Sequence, residues 1–136
     1  MKRKIYRIID ANLNRSREGL RVCEEIARFI LNDKSLTKEF KALRHRITNC
    51  IRDFPAQLGE IVSTRDAEGD VGRQSRPSEN KRRNWKEIFL ANLERVKESL
   101  RVLEEFSKLV DKKIADRFKK IRFKLYDIEK KLISRF

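Results

Sequence analysis

One histidine, His45, is the whole imidazole content of this chain, and nothing around it suggests a Ser–His or Cys–His nucleophile pair. The two cysteines, Cys23 and Cys50, lie on apolar helical stripes without metal-ligand spacing. They read as small buried hydrophobes, neither a zinc pair nor a disulfide. No apolar run approaches the ~18 residues that a membrane helix needs, and no signal-peptide pattern is present, so a soluble, cytoplasmic protein is expected. A Gly-x-x-x-x-Gly-Lys-Ser/Thr loop and the protein-kinase signature set are both missing. Zinc-finger, RNP and basic-zipper patterns are missing too. Aromatic residues are only 8% of the chain and sit mostly on core stripes, which argues against single-strand stacking platforms.

Charge, by contrast, is abundant. Charged residues make up 41% of 136, rich in Lys, Arg and Glu, as in thermophile proteins with surface ion-pair networks. The net charge of +14 predicts attraction to polyanions or phosphorylated small molecules, against the plainer alternative of a solvated lysine surface. The basic residues spread over every helical segment instead of gathering on one, which disfavours nucleic acid as the partner.

The chain also repeats itself. Residues 8–30 and 88–110 share the same residue at 11 of 23 aligned positions. Polar residues are copied with the core: Asn12, Arg15, Glu18, Arg21, Glu24 and Glu25 recur as Asn92, Arg95, Glu98, Arg101, Glu104 and Glu105. The match resumes at an offset of 78, where residues 36–47 face residues 114–125.

Four segments carry apolar residues at alternating steps of four and three. They are Ile9 to Ile30, Leu36 to Cys50, Phe89 to Val110 and Ile114 to Leu132. A 3.5-residue repeat of this kind implies helices packed at shallow angles. Short links near 32–35 and 111–113 make each pair antiparallel. The expected fold is all-α, an antiparallel four-helix bundle of two repeated hairpins with a pseudo-twofold. It forms a single domain over 1–136, with repeat one at about 6–51, a long central loop at about 52–84 and repeat two at about 86–132. Asn84, with Glu87 three residues on, is the expected cap of the third helix, and Ser35 that of the second.

Placed on these helices, Asn12, Arg15, Asn92 and Arg95 fall on otherwise apolar rows facing the bundle interior or its rim. A buried guanidinium without a partner is very costly, so Arg15 and Arg95 should meet carboxylates such as Glu18 and Glu98, or a bound anion. The second outcome is an interior polar pocket for an anionic ligand. Arg21 and Glu24 fall on the outer arc, as a solvated ion-pair lattice. In the central loop, Gly69 and Gly72 permit backbone amides to cradle phosphate. Asp66, Glu68 and Asp70 are hard oxygen ligands of the kind Mg²⁺ accepts beside phosphate. Ordinary turn chemistry explains the same residues.

The runs Asp10-Ala-Asn-Leu13…Arg15…Glu18-Gly-Leu-Arg21, Lys41-Ala-Leu-Arg44-His45 and Thr64-Arg-Asp66…Gly69-Asp-Val-Gly72 occur in that order. Ala91-Asn-Leu…Arg95…Glu98 and Ile121-Arg122…Tyr126 follow. Over roughly residues 6 to 132 the chain resembles the helical domain found in front of the thiamine-phosphate synthase barrel in some bacteria, which also occurs alone. That family is regarded as a monofunctional hydroxymethylpyrimidine phosphate kinase. A synthase barrel needs about 200 residues or more, which these 136 helical residues do not hold.

The resemblance implies thiamine biosynthesis and ATP-dependent phosphorylation of hydroxymethylpyrimidine phosphate to the diphosphate, with Mg²⁺. For that chemistry the candidate catalytic residues are Arg15, Arg95, Arg65 and Asp70, and Asp66 with Asp70 are the candidate metal ligands. Asn12, Asn92, Glu18, Glu98, Arg44, Gly69 and Gly72 would bind substrate or nucleotide. A non-catalytic phosphate-ligand-binding or docking module of thiamine-phosphate synthase is the alternative, and a basic nucleic-acid binder the remoter one. Whether the chain dimerises is open.

Overall fold

The structure is a computed structural model that describes residues 1–74 and 80–136, so part of the expected central loop lies outside the described residues. Helix α1 (Lys2–Glu25) runs without a break into a π-helical turn, Ile26–Ile30. It is followed by α2 (Lys34–Arg52), the short α3 (Leu58–Val62), α4 (Trp85–Ser107) and α5 (Lys112–Ile133). Among the described residues there is no strand, so the all-helical expectation holds. None of these helices is long and apolar enough to cross a membrane.

Local chemistry sets the helix starts. Asn84 Oδ1 accepts the Glu87 N–H at 3.1 Å, as its sequence context predicts. At α2 the expected cap Ser35 gives way to Asp33, whose carboxylate accepts the Leu36 N–H at 2.9 Å. Asp33 stands in extended backbone one residue before the helix, the conformation a cap requires, whereas Ser35 is already inside α2. Asp111 does the same for α5 through the N–H groups of Lys113 and Ile114.

The two sequence copies part company at the hairpin turns. The repeat offset falls from 80 to 78 there, so the first copy carries two more residues. It absorbs them by widening: Leu31 N–H reaches back five residues to the Ile26 carbonyl at 3.0 Å, and Asn32 takes a left-handed φ of 50°. The second copy tightens instead, with Leu109 and Val110 N–H groups reaching back three residues to Phe106 and Ser107.

The apolar stripes meet in one core. Every stripe position of α2 and α5 is buried, and the α1 and α4 stripes are buried up to Ala27 and Ser107. Phe40, Phe89 and Phe118 are fully buried, with Phe40 and Phe89 edge to face at 5.9 Å. Helix α1 packs on α2 and α4 on α5, and α1 lies along α4 over the longest contact. Cys23 faces the Phe89 carbonyl while Gly19 faces Val96, so α1 and α4 run antiparallel. The expected central loop is partly helical: α3 buries Ile61 completely and packs on α1, which ties this segment to the core.

Candidate functional site: a cleft between α1 and α4

Gly19 sets how closely α1 and α4 approach. A Cβ there would stand 2.6 Å from Val96 Cγ2 and 3.2 Å from the Asn92 carbonyl. Ser16 of α1 and Ser99 of α4 are small and buried as well, and Ser99 stands in the second copy where Gly19 stands in the first. Beside this crossing opens a cleft of about 550 Å³. Asn12 and Arg15 of α1 line it, with Glu94, Arg95, Glu98, Ser99 and Val102 of α4 and with Gly72 and Arg73 of the central segment.

Three guanidiniums therefore come to one cleft from three separate segments. Arg15 and Arg95 are exposed, which corrects the expected interior pocket to an open cleft at the rim. The physical reason is length: an arginine can start on an apolar row and still carry its charge out to water. Among the described residues neither meets a carboxylate within ion-pair distance. Glu94 is already engaged by Lys97, which also reaches Glu129 at 2.9 Å. Burial works against the Lys97 charge, but the hydrogen bonds to Glu129 and Glu94 outweigh it and hold its pKa above the ordinary lysine value. Glu98 is thus the cleft carboxylate without an ion-pair partner among the described residues.

Other expected site residues have different surroundings. Asn92, half-buried, donates to the Ile8-equivalent carbonyl of Ile88 at 2.8 Å, as Asn12 does to Ile8 at 2.9 Å. Only Asn12 of the pair lines the cleft. Glu18 is exposed and outside it. Arg44 pairs with Glu24 at 3.2 Å across α1 and α2, and Arg122 pairs with Glu104 at 2.9 Å across α4 and α5. Glu24 was expected on the outer arc with Arg21; Arg21 is exposed, but the Glu24 side chain is only 5% exposed. The reason is the partner helix, which covers Glu24 and supplies a compensating guanidinium. Burial opposes the charge of Arg122, yet hydrogen bonds to Tyr126 and Glu104 prevail and raise its pKa above the usual value. This buried pairing was missed from sequence, although Arg44 and Arg122 share the same 78-residue offset as the rest of their helices.

The central segment is strapped onto α1. Arg65 donates from Nε and Nη2 to both carboxylate oxygens of buried Asp10, each at 2.8 Å, a two-pronged pairing that raises the Arg65 pKa. Arg7 reaches the Asp66 carbonyl at 3.0 Å and Arg3 that of Ser63 at 3.3 Å. Asp66 Oδ1 accepts the Gly69 N–H at 2.8 Å, and Asp70 Oδ1 accepts the Gly72 N–H at 2.9 Å. The Asp66 carboxylate fills the space a side chain at 69 would need. No group of three or more His, Cys, Asp or Glu residues among the described residues could hold a metal ion. Asp66 and Asp70 thus suit Mg²⁺ only when phosphate oxygens supply most of its shell.

No solved structure matches the chain. It is similar to the thiamine-phosphate synthase of Nostoc punctiforme, 42% identical over 131 residues, which are 96% of this chain and 36% of that protein. Similarity to the thiamine-phosphate synthase of Rhodopirellula baltica is 40% over 125 residues, covering 91% and 33%. For that of Thermosynechococcus vestitus it is 38% over 130 residues, covering 95% and 35%. The chain thus spans about a third of the length of these curated relatives. The ThiD2 family model matches residues 7–131, nearly the whole chain, and the chain belongs to the ThiD2 family.

Proposed function

We propose that the chain serves thiamine biosynthesis as a phosphate-ligand-binding module working beside thiamine-phosphate synthase, in the cytoplasm. Its ligand is a phosphorylated pyrimidine seated between α1 and α4. The observation that carries this is the convergence of Arg15, Arg73 and Arg95 on one cleft of about 550 Å³, a size suited to a small-molecule ligand. Guanidiniums bind phosphate with paired, charge-assisted hydrogen bonds. The relatives support the pathway, since each carries a similar segment within a protein named thiamine-phosphate synthase.

A second reading adds catalysis at the same cleft: an ATP-dependent hydroxymethylpyrimidine phosphate kinase. The pair Arg15 and Arg95 favours it, because two copied cations suit two phosphates that must be held together against their repulsion. An oxygen of the substrate phosphate would attack the terminal phosphorus of ATP, and the bond to the bridging oxygen would break to release ADP. That nucleophile is already anionic, so no general base is needed. Arg15 and Arg95 would screen the charges and hold the groups in line, and Arg65 would keep the Asp66–Asp70 segment on α1. Mg²⁺ would share phosphate charge beside Asp66 and Asp70.

The same reading takes the chain as a single domain, a four-helix bundle of two hairpins related by a pseudo-twofold. Matching Glu24–Arg44 and Glu104–Arg122 pairs support it. The test is calorimetric titration with hydroxymethylpyrimidine phosphate, followed by incubation with ATP and Mg²⁺ and assay of the diphosphate. Binding without turnover favours the module, and turnover favours the kinase. Absence of binding would defeat both.

A further inference from the structure

The hairpin turn where the copies diverge forms the wall of a second cleft, about 620 Å³, between the end of α1 and the start of α2. Besides Arg21, which is paired with Glu24 and Glu25, four cations line it: Arg28 from the π-helical turn, and Lys34, Lys38 and Lys41 from α2. None of the four meets a carboxylate within ion-pair distance among the described residues. The two acids of the cleft are neutralised by other cations. Glu24 is held by Arg21 and Arg44, and Asp33 by Arg135 at 2.6 Å. The cleft therefore presents four uncompensated positive charges. Lys34, Lys38 and Lys41 stand at steps of four and three on one face of α2, a row about 10 Å long at 1.5 Å per residue.

The second copy supplies an internal control. Its equivalent cleft, at the end of α4 and the start of α5, is smaller, about 330 Å³. There Asp116 stands in place of Lys38 and Ala115 in place of Thr37. Lys108, the counterpart of Arg28, is occupied by Glu105. Asp116 is paired with Lys120 at 3.0 Å. Among the described residues, the same scaffold thus exists with four unpaired cations in the first copy and two, Lys112 and Lys119, in the second, where Asp116 adds a negative charge. Only the more strongly charged first copy has the π-helical turn, a feature frequent at functional sites.

We infer that the α1–α2 cleft is a second ligand site that binds a linear polyphosphate chain. A row of ammoniums some 10 Å long can pair with successive phosphates, which a single orthophosphate cannot exploit. The guanidinium of Arg28 closes the other wall and can grip one phosphate with two bonds. The site is separate from the α1–α4 cleft, since Arg15 and Arg28 are about 20 Å apart along one helix. It does not depend on the function proposed above.

The experiment is calorimetric titration of the full chain with inorganic tripolyphosphate, ATP, orthophosphate and an oligo-aspartate peptide at fixed salt. Lys38→Asp installs the residue of the second copy, so the fold tolerates it; Lys34→Ala/Lys41→Ala is the companion variant, and Lys112→Ala/Lys119→Ala the control. Tripolyphosphate should bind at least about tenfold more tightly than orthophosphate. Lys38→Asp and Lys34→Ala/Lys41→Ala should each weaken it by about tenfold or more, and the control by less than about twofold. ATP binding more tightly than tripolyphosphate would make a nucleotide the source of the chain; equal affinities would make it the free polyphosphate. The inference is overturned if orthophosphate binds equally well, if the peptide binds more tightly, or if the control weakens binding as much as Lys38→Asp.

Discussion

Gly19→Ala probes the helix crossing that frames the α1–α4 cleft. The new methyl would stand 2.6 Å from Val96 Cγ2 and 3.2 Å from the Asn92 carbonyl. Val96 cannot easily turn away, because a β-branched side chain in a helix has one strongly preferred rotamer. The carbonyl belongs to the α4 backbone and moves only with its helix. Overpacking of this kind costs about 1–3 kcal/mol, against a helix-propensity gain of about 0.5–1 kcal/mol for alanine over glycine. The net expectation is a loss of roughly 1–2 kcal/mol, or a Tm lower by about 4–8 °C. Urea unfolding followed by circular dichroism measures it. Adding Val96→Ala should relieve the clash, so that the double variant loses about 1 kcal/mol less than the sum of the single variants. A Gly19→Ala protein more stable than the parent, or strict additivity with Val96→Ala, would show that α1 and α4 are not in this close contact.

Three further outcomes follow from the side-chain geometry. Glu104→Gln should cost about 3–5 kcal/mol in urea unfolding, because it leaves the Arg122 charge buried and uncompensated, while Glu24→Gln should cost less since Arg44 is 19% exposed. Asp10→Asn should release the Arg65 strap, seen as faster hydrogen exchange over residues 63–73 and weaker ligand binding, because Gly72 and Arg73 belong to the cleft. Asp33, held below the usual carboxylate pKa first by the Leu36 N–H and then by Arg135, stabilises the ionised state. The Tm gap between the parent and Asp33→Ala should be full above the ordinary carboxylate pKa and should shrink as pH falls through the lower native value.

The four long helices were legible because each places an unbroken 3.5-residue stripe against a neighbour, and almost every stripe residue is buried. Asn84 was legible as a cap because its signal is local. Asp33 was overlooked for Ser35 because both are good caps and only the backbone bend decides between them. Glu24 was misplaced because a helical wheel registers distance from its own apolar stripe, not cover from α2. The Asp10–Arg65 strap joins residues 55 apart with no pattern to announce it. The π-helical turn did leave a trace, the offset falling from 80 to 78, which counts the extra residues but not the shape that holds them. Of the expected site residues, Asn12, Arg15, Arg95, Glu98 and Gly72 come together at the cleft; Glu18, Arg44, Asn92, Arg65, Asp66, Gly69 and Asp70 do not line it.

The measurement closest to the central claim is calorimetric titration of hydroxymethylpyrimidine phosphate into the parent, Arg15→Met and Arg95→Met. Hydrogen bonds to charged groups contribute about 1.5–3 kcal/mol, so each substitution should weaken binding by roughly ten- to a hundredfold. Both arginines are exposed, so the Tm should stay within about 2 °C of the parent. Undiminished affinity in both variants, with the fold intact, would contradict a phosphate-binding cleft between α1 and α4.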